Sequence, residues 1–151
     1  MAIIMVQCLS PALAQTSGII TTEVLVQRLG GYGAADLNIQ FGVNSDKVTP
    51  RVKDQMRELG QALTSNALQA GIFEIIGHTD ASGRAQTNKE LSQKRAESVR
   101  QFLIRNFGVA PARLKAIGLG EVQLRDKRRP DHASNRRMEI RRLNVKPSAS
   151  P

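Results

Sequence analysis

An arginine on the core-facing side of a long predicted helix constrains this chain more than any other feature. The helix is predicted from about Asn88 to Asn106, and at about 100° per residue Asn88 and Arg95 project into its apolar stripe. The apolar members of that stripe are Leu91, Val99, Phe102 and Leu103. Removing one partner from a buried ion pair typically costs about 3–5 kcal/mol. The fold must therefore bring either a carboxylate or a ligand close to Arg95.

The expected partner of Arg95 is Asp80. Residues 73–76 form a short apolar run that predicts a buried strand, and Gly77 ends it. Asp80 then falls in the loop just past the strand, where α/β proteins often place binding groups. Two interpretations stay open: Asp80 and Arg95 form a structural ion pair that fixes the loop, or they hold a ligand between them.

Strands and helices are predicted to alternate along the chain. The predicted strands cover residues 37–43, 72–76, 114–117 and 138–143, and the predicted helices cover residues 50–65 and 88–106. Thr49 and Pro50 supply a cap and a first-turn proline for the first of these helices. The order βαβαβ followed by β favours an α/β (α+β) fold, a mixed sheet with helices packed on one side. Residues 21–29 fit either an edge strand or a helical turn.

Both ends of the chain are predicted to lie outside the folded domain. Residues 1–14 carry no charged side chain and end in Ala12-Leu13-Ala14, which is typical of a signal peptide that has lost its basic start. We therefore expect export to the periplasm and a true translation start upstream; a buried N-terminal strand is the alternative. Cys8 would be removed with the leader, and Gln7 before it does not favour acylation. Residues 15–36 are predicted to be a lead-in segment, and residues 144–151 a disordered tail.

The charge of the chain predicts anionic partners. The formal net charge is +9, and eight of the basic residues lie between Arg125 and Arg142. Nucleic acid is not expected, because the chain has no Trp, and its single Tyr32 lies outside any predicted strand on which bases could stack. An anionic surface of the cell envelope remains a candidate partner, and a merely solvated basic loop is an equal alternative.

An enzyme is not expected. Once the leader is removed the chain has no cysteine nucleophile, and its two histidines, His78 and His132, are not spaced as metal ligands. We therefore predict no catalytic set, no metal and no cofactor.

Several separated motifs, in a fixed order, resemble those of the OmpA-like peptidoglycan-binding domains of the OmpA, Pal and MotB type. They are Gly77-His78-Thr79-Asp80, Asn88-x-x-Leu91-Ser92-x-x-Arg95-Ala96, Gly118-x-Gly120-Glu121 and Asn135-Arg136-Arg137-Met138-Glu139-Ile140. The resemblance covers about Leu37 to Leu143. One departure is the absence of the proline that often follows Gly-x-Gly-Glu, since this chain has Val122-Gln123-Leu124 there.

The resemblance implies binding of peptidoglycan through the diaminopimelate of its stem peptide, at the cell wall or outer membrane. Asp80 would accept hydrogen bonds from the ligand ammonium, and Arg95 would hold the ligand carboxylate in a two-bond fork. The other positions that the resemblance places in the pocket are Asn44, Thr79, Asn88 and Arg137. Each of these also fits a turn, a cap, a helix start or a solvated strand.

A second interpretation of the function stays open. The domain would then be a basic adaptor that binds an anionic envelope surface or an envelope protein, and Asp80 and Arg95 would be only structural.

Overall fold

The computed structural model describes residues 18–31, 33–37 and 39–143. Helices and strands alternate in it: α1 Thr22–Gly31, β1 Ala34–Leu37, α2 Pro50–Thr64, β2 Phe73–His78, α3 Ala85–Phe107, β3 Leu114–Gly120 and β4 Arg137–Arg142. Short 3-10 helices, Pro111–Arg113 and Ala133–Asn135, precede β3 and β4. The predicted leader and the predicted tail lie outside the described residues.

The four strands form one mixed sheet in the order β1-β4-β2-β3. Strands β2 and β3 are parallel and are connected by α3, as a crossover connection requires. Strand β4 lies between β1 and β2 and is antiparallel to both. The predicted α/β class and mixed sheet are confirmed.

One face of the sheet carries the core. Alternate strand residues on that face are buried with the helices, and they are Ala35, Leu37, Phe73, Ile75, Met138 and Ile140. The positions between them carry charged side chains such as Asp36, Glu74 and Glu139. Helix α3 packs on β2 and β3, and α2 contacts both α1 and α3. The helices therefore cover one side of the sheet, as predicted.

Helix α3 lies directly on the backbone of the parallel strand pair. A Cβ atom added to Gly77 would overlap the backbone of Ser92, and one added to Gly118 would overlap that of Gln93. Gly120 follows the same pattern, with its added Cβ 3.0 Å from the amide nitrogen of Lys89. The first half of α3 is therefore held against the ends of β2 and β3.

Helix α1 belongs to the folded body. Leu25 and Leu29 are fully buried, which answers the question left open between a strand and a helical turn. The segment before and within α1 is bonded to α2: Gln55 exchanges two hydrogen bonds with the backbone of Ile20, and the carboxylate of Glu58 accepts one from the amide of Thr22. The core therefore includes residues that precede Leu37, the predicted start of the domain.

The first strand differs from its prediction over residues 37–43. It runs from Ala34 to Leu37 and then ends, because the amide of Ile39 donates to the carbonyl of Leu37 and not to a neighbouring strand. Ile39 is still buried and Phe41 half-buried, so the predicted alternation of burial holds as far as Phe41. Val43, predicted to be buried, is 93% exposed.

Substituting Gly118→Ala should lower the free energy of unfolding by about 1–3 kcal/mol, since the added methyl group forces α3 away from β3. Gly30→Ala is the matched control, because no atom of the described residues lies within 4 Å of its added Cβ and it sits inside α1. The control should be neutral or stabilising by about 0.5–1 kcal/mol. Equal effects of the two changes in urea unfolding would contradict the close packing.

Candidate functional site

Asp80 lies in the loop that connects the end of β2 to α3 and is only 5% exposed. The amide of Thr79 just before it donates to the carbonyl of Gly120 at 2.9 Å, which ties the loop to the end of β3. Asp80 Oδ1 accepts hydrogen bonds from both the amide and the hydroxyl of Ser82. The carboxylate is therefore fixed by its own turn.

The second oxygen of Asp80 is paired with an arginine that the sequence analysis did not select. Arg136 Nη1 lies 2.6 Å from Asp80 Oδ2, and the Arg136 side chain is 48% exposed. Burial raises the pKa of Asp80, but the hydrogen bonds from Ser82 and Arg136 outweigh it and bring the pKa below its ordinary value. Asp80 is therefore an ionised acceptor.

Asn88 holds the Asp80 loop in place. Its Nδ2 donates to the carbonyl of Ser82 at 2.8 Å, to Glu121 Oε2 at 2.9 Å and, at 3.3 Å, to the carbonyl of Asp80. Because the amide group is engaged on three sides, Asn88 acts as a positioning residue for the loop.

Arg95 is 6% exposed and is bonded to backbone rather than to a carboxylate. Its Nε donates to the carbonyl of Ser45 at 2.9 Å and its Nη2 to that of Gly42 at 3.0 Å, while its guanidinium lies 5.4 Å from the centre of the Phe41 ring. These contacts hold the loop that carries Asn44 in place. Asn44 is exposed, and its φ is 49°. Within the described ranges, Arg95 Nη1 has no hydrogen-bond acceptor.

No ion pair joins Asp80 to Arg95 in the part of the chain that the structure describes. The interpretation of the two residues as a structural ion pair is therefore wrong for this conformation. They still interact at a distance: burial and the charge of Arg136 lower the pKa of Arg95, while Asp46 and Asp80 raise it. Two buried opposite charges thus lie in each other's field, each bonded elsewhere.

Arg137 lies beside this pair, and among the described residues it forms no hydrogen bond or ion pair with Asp80. Its Nη2 donates to the carbonyl of Gln123 at 3.2 Å, and its Nε lies 3.6 Å from Asp36 Oδ1. A small cavity of about 50 Å³ separates it from Arg95, and the charged or titratable side chains lining this cavity are His78, Arg95, Arg136 and Arg137. Arg137 therefore borders the site, and its polar bonds go to Gln123 and Asp36.

His78 and Glu139 form a buried pair beneath the site. His78 Nε2 lies 3.3 Å from Glu139 Oε2, and the His78 side chain is fully buried. The hydrogen bond from His78, together with those from Arg141, lowers the pKa of Glu139 to about 2 against the opposing effect of burial. Thr79 Oγ1 is buried close by in sequence and has no partner among the described atoms.

Three contacts of the site were missed in the sequence. Arg136 was available one position before Arg137, and only the start of β4 at Arg137 decides which of the two reaches Asp80. The contact with Ser82 could have been predicted, since an Asp side chain commonly accepts a hydrogen bond from the backbone amide two residues later. Phe41, which lies against Arg95, was assigned instead to a strand.

The site can bind by charge-assisted hydrogen bonds. It presents one carboxylate and two guanidinium groups at the end of the sheet, an arrangement that suits a small zwitterion. Within the described residues, no group of three or more His, Cys, Asp or Glu side chains is placed to hold a metal ion. In those same ranges, no helix has the length and apolar character that a membrane span needs.

Fold and site together define a small α/β domain with an acid and a base at the carboxyl ends of a parallel strand pair. A family model described as the OmpA family matches residues 40–138. The chain belongs to the OmpA family.

Known relatives agree with this membership. Outer membrane porin F of Pseudomonas fluorescens is 35% identical over 86 residues, which cover 57% of this chain and 26% of the relative. The outer-membrane lipoprotein YfiB of Pseudomonas aeruginosa is 28% identical over 134 residues, covering 82% of this chain and 78% of the relative. The chain thus spans about a quarter of the length of porin F and most of the length of YfiB.

A solved structure shares the fold. The peptidoglycan-associated lipoprotein from Burkholderia pseudomallei matches with a TM-score of 0.56 and 27% identity, over 73% of this chain and 89% of that one.

Replacing Glu139→Gln should remove a pH-dependent part of the stability. Because the pKa of Glu139 falls from 4.5 to about 2 on folding, its charge stabilises the fold fully above pH 4.5, and this contribution is lost as the pH falls to about 2. At about 1.4 kcal/mol per pKa unit, the contribution is at most about 3 kcal/mol. Urea unfolding at several pH values should therefore show the free energies of unfolding of wild type and variant converging towards pH 2.

Glu23→Gln on α1 is the control, since Glu23 is exposed. A difference in the free energy of unfolding between wild type and Glu139→Gln that stays constant with pH would contradict the pairing of Glu139 with His78.

Proposed function

We propose that this domain binds peptidoglycan without covalent attachment, by holding the diaminopimelate of a stem peptide at Asp80 and Arg95. On this proposal it is a binding domain rather than an enzyme, and it localises its protein at the cell wall, in the periplasm or at the outer membrane. Membership of the OmpA family and the likeness to a peptidoglycan-associated lipoprotein support this proposal.

The observation that carries the proposal is the separation of the two buried charges. A structural ion pair would join Asp80 to Arg95, whereas here Arg95 is bonded to two carbonyl groups and keeps Nη1 available. Arg136 also lowers the pKa of Arg95 by its charge, so the two guanidinium groups repel each other. A ligand carboxylate near both would relieve that repulsion and accept hydrogen bonds from Arg95.

The ligand ammonium would then take the place of Arg136 on Asp80. Arg136 Nη1 donates to Asp80 Oδ2 from a half-exposed side chain, which has room to turn out into solvent when an ammonium group replaces it. Asp80 itself stays fixed by Ser82, and its loop by Asn88. The acid is thus held ready for a cation while its present partner remains exchangeable.

Affinity for one stem peptide should be modest, roughly micromolar to millimolar. An intact wall presents many identical peptides, so that a released domain rebinds before it escapes. Intact sacculi should therefore retain the protein better than soluble fragments do.

A sacculus pull-down of the wild type beside Asp80→Asn and Arg95→Lys tests the proposal. Each variant loses a charge-assisted contact while keeping a similar shape or charge, and sacculus affinity should fall by about tenfold or more. Circular dichroism and melting temperatures establish that the variants are folded.

Asp54→Asn is the matched control for the acid. Its carboxylate is half-exposed on α2, and among the described residues it pairs with Arg57 alone, one turn later on the same helix. The change in charge is the same as in Asp80→Asn. The control should bind sacculi like the wild type. Full retention of folded Asp80→Asn and Arg95→Lys would contradict the diaminopimelate site and favour a basic adaptor.

A further inference from the structure

The connection between β3 and β4 ends in a fixed turn, residues 126–131, which we name the basic tip. Asn135 is fully buried behind it, and its Nδ2 donates to the carbonyls of Asp126, Arg129 and Pro130 at 3.0 to 3.3 Å. Asn135 Oδ1 accepts from the amide of Asp126 at 2.7 Å. One buried side chain thus holds the backbone of the turn at both of its ends.

Asp126 fixes the turn a second time. Its Oδ1 accepts from the amides of Arg128 and Arg129, and its Oδ2 lies 2.8 Å from Arg129 Nε. The charge of Arg129 is therefore paired within the tip. Because both acceptors belong to the turn itself, the tip keeps its shape without help from a ligand.

Two cations of the tip remain unpaired. Lys127 and Arg128 are exposed, and in the part of the chain that the structure describes their side chains have neither a hydrogen bond nor an ion pair. The tip also carries one acidic side chain without a partner among the described residues, that of Asp131 at its far end. Two adjacent positive charges are thus presented to solvent on a rigid turn.

The tip is continuous with the candidate site. The amide of Ala81, the residue after Asp80, donates to the carbonyl of Pro130 at 3.0 Å. Arg136, which follows the tip, pairs with Asp80 itself. The tip is therefore bonded directly to the loop that carries Asp80.

We propose that Lys127 and Arg128 form a second contact surface, which takes further carboxylates of an acidic peptide whose diamino acid end is held at Asp80. This inference rests on the proposed function. An anionic lipid surface is the less suitable partner, because polybasic membrane-binding segments use clusters of about four to eight cations and the tip offers two that are free. A preformed turn instead suits a few carboxylates on one chain.

The test compares sacculus affinity of the wild type, Lys127→Gln/Arg128→Gln and Asp80→Asn over a series of salt concentrations. The tip double variant should bind about three- to tenfold more weakly at low salt. That difference should disappear towards 1 M salt, where the screening length is about 3 Å. Free meso-diaminopimelate, which lacks the rest of the peptide, should bind the double variant and the wild type equally.

Arg28→Gln/Lys53→Gln is the matched control, since it removes two exposed charges on α1 and α2 and should leave sacculus affinity unchanged. Equal affinity of the tip variant and this control would overturn the inference while leaving the Asp80 site standing. Tip-dependent binding to phosphatidylglycerol vesicles as strong as to sacculi would overturn it in favour of a membrane. Sacculus binding lost with the tip but kept in Asp80→Asn would contradict the proposed function and also the tip's secondary role.

Discussion

The contact between α3 and the backbone of β2 and β3 determines where Arg95 lies in the site. Gly77 and Gly118 have no side chains, so that the first half of the helix rests on the strands at the level of Ser92 and Gln93. Ser92 Oγ also accepts a hydrogen bond from the amide of Gly120, which fixes the helix along the strand direction. With the helix held this closely, Arg95 one turn later is buried beside the strand ends and cannot turn out to solvent.

The site is stable without a ligand because each buried charge has a partner that a ligand can replace or share. Arg95 is satisfied by the carbonyls of Gly42 and Ser45, which brings the loop between β1 and α2 over the site. Asp80 is satisfied by its own turn and by Arg136. Buried charges left alone would each cost several kcal/mol, so exchangeable partners are what allow a receptive site to exist in a folded domain.

The sequence predicted the fold and the buried acid and base, since both depend on periodicity and on where strands end. Helix α2 begins at Pro50 after Thr49, whose side chain accepts from the amide of Val52, as its capping residues predicted. The errors arose where tertiary contacts overrode local pattern. The alternation of apolar and polar residues over 37–43 predicted a strand. The hydrogen bonds that Arg95 donates to the carbonyls of Gly42 and Ser45 instead favour a loop. Choosing between Arg136 and Arg137 required knowing the residue at which β4 begins, which periodicity does not give to within one position.

The most direct test of the account is an NMR titration of the 15N-labelled domain with meso-diaminopimelate and, separately, with Nα-acetyl-L-lysine amide, whose free end carries an ammonium group but no carboxylate. If Asp80 takes the ammonium and Arg95 the carboxylate, diaminopimelate should bind with a dissociation constant of roughly micromolar to millimolar. Diaminopimelate should shift the amides of Thr79 to Ser82 and of Gly42 to Ser45, and the lysine derivative should bind about tenfold more weakly or not at all. Equal affinity for the two ligands, or saturable shifts elsewhere in the domain, would contradict the central claim that the separated acid and base form one site.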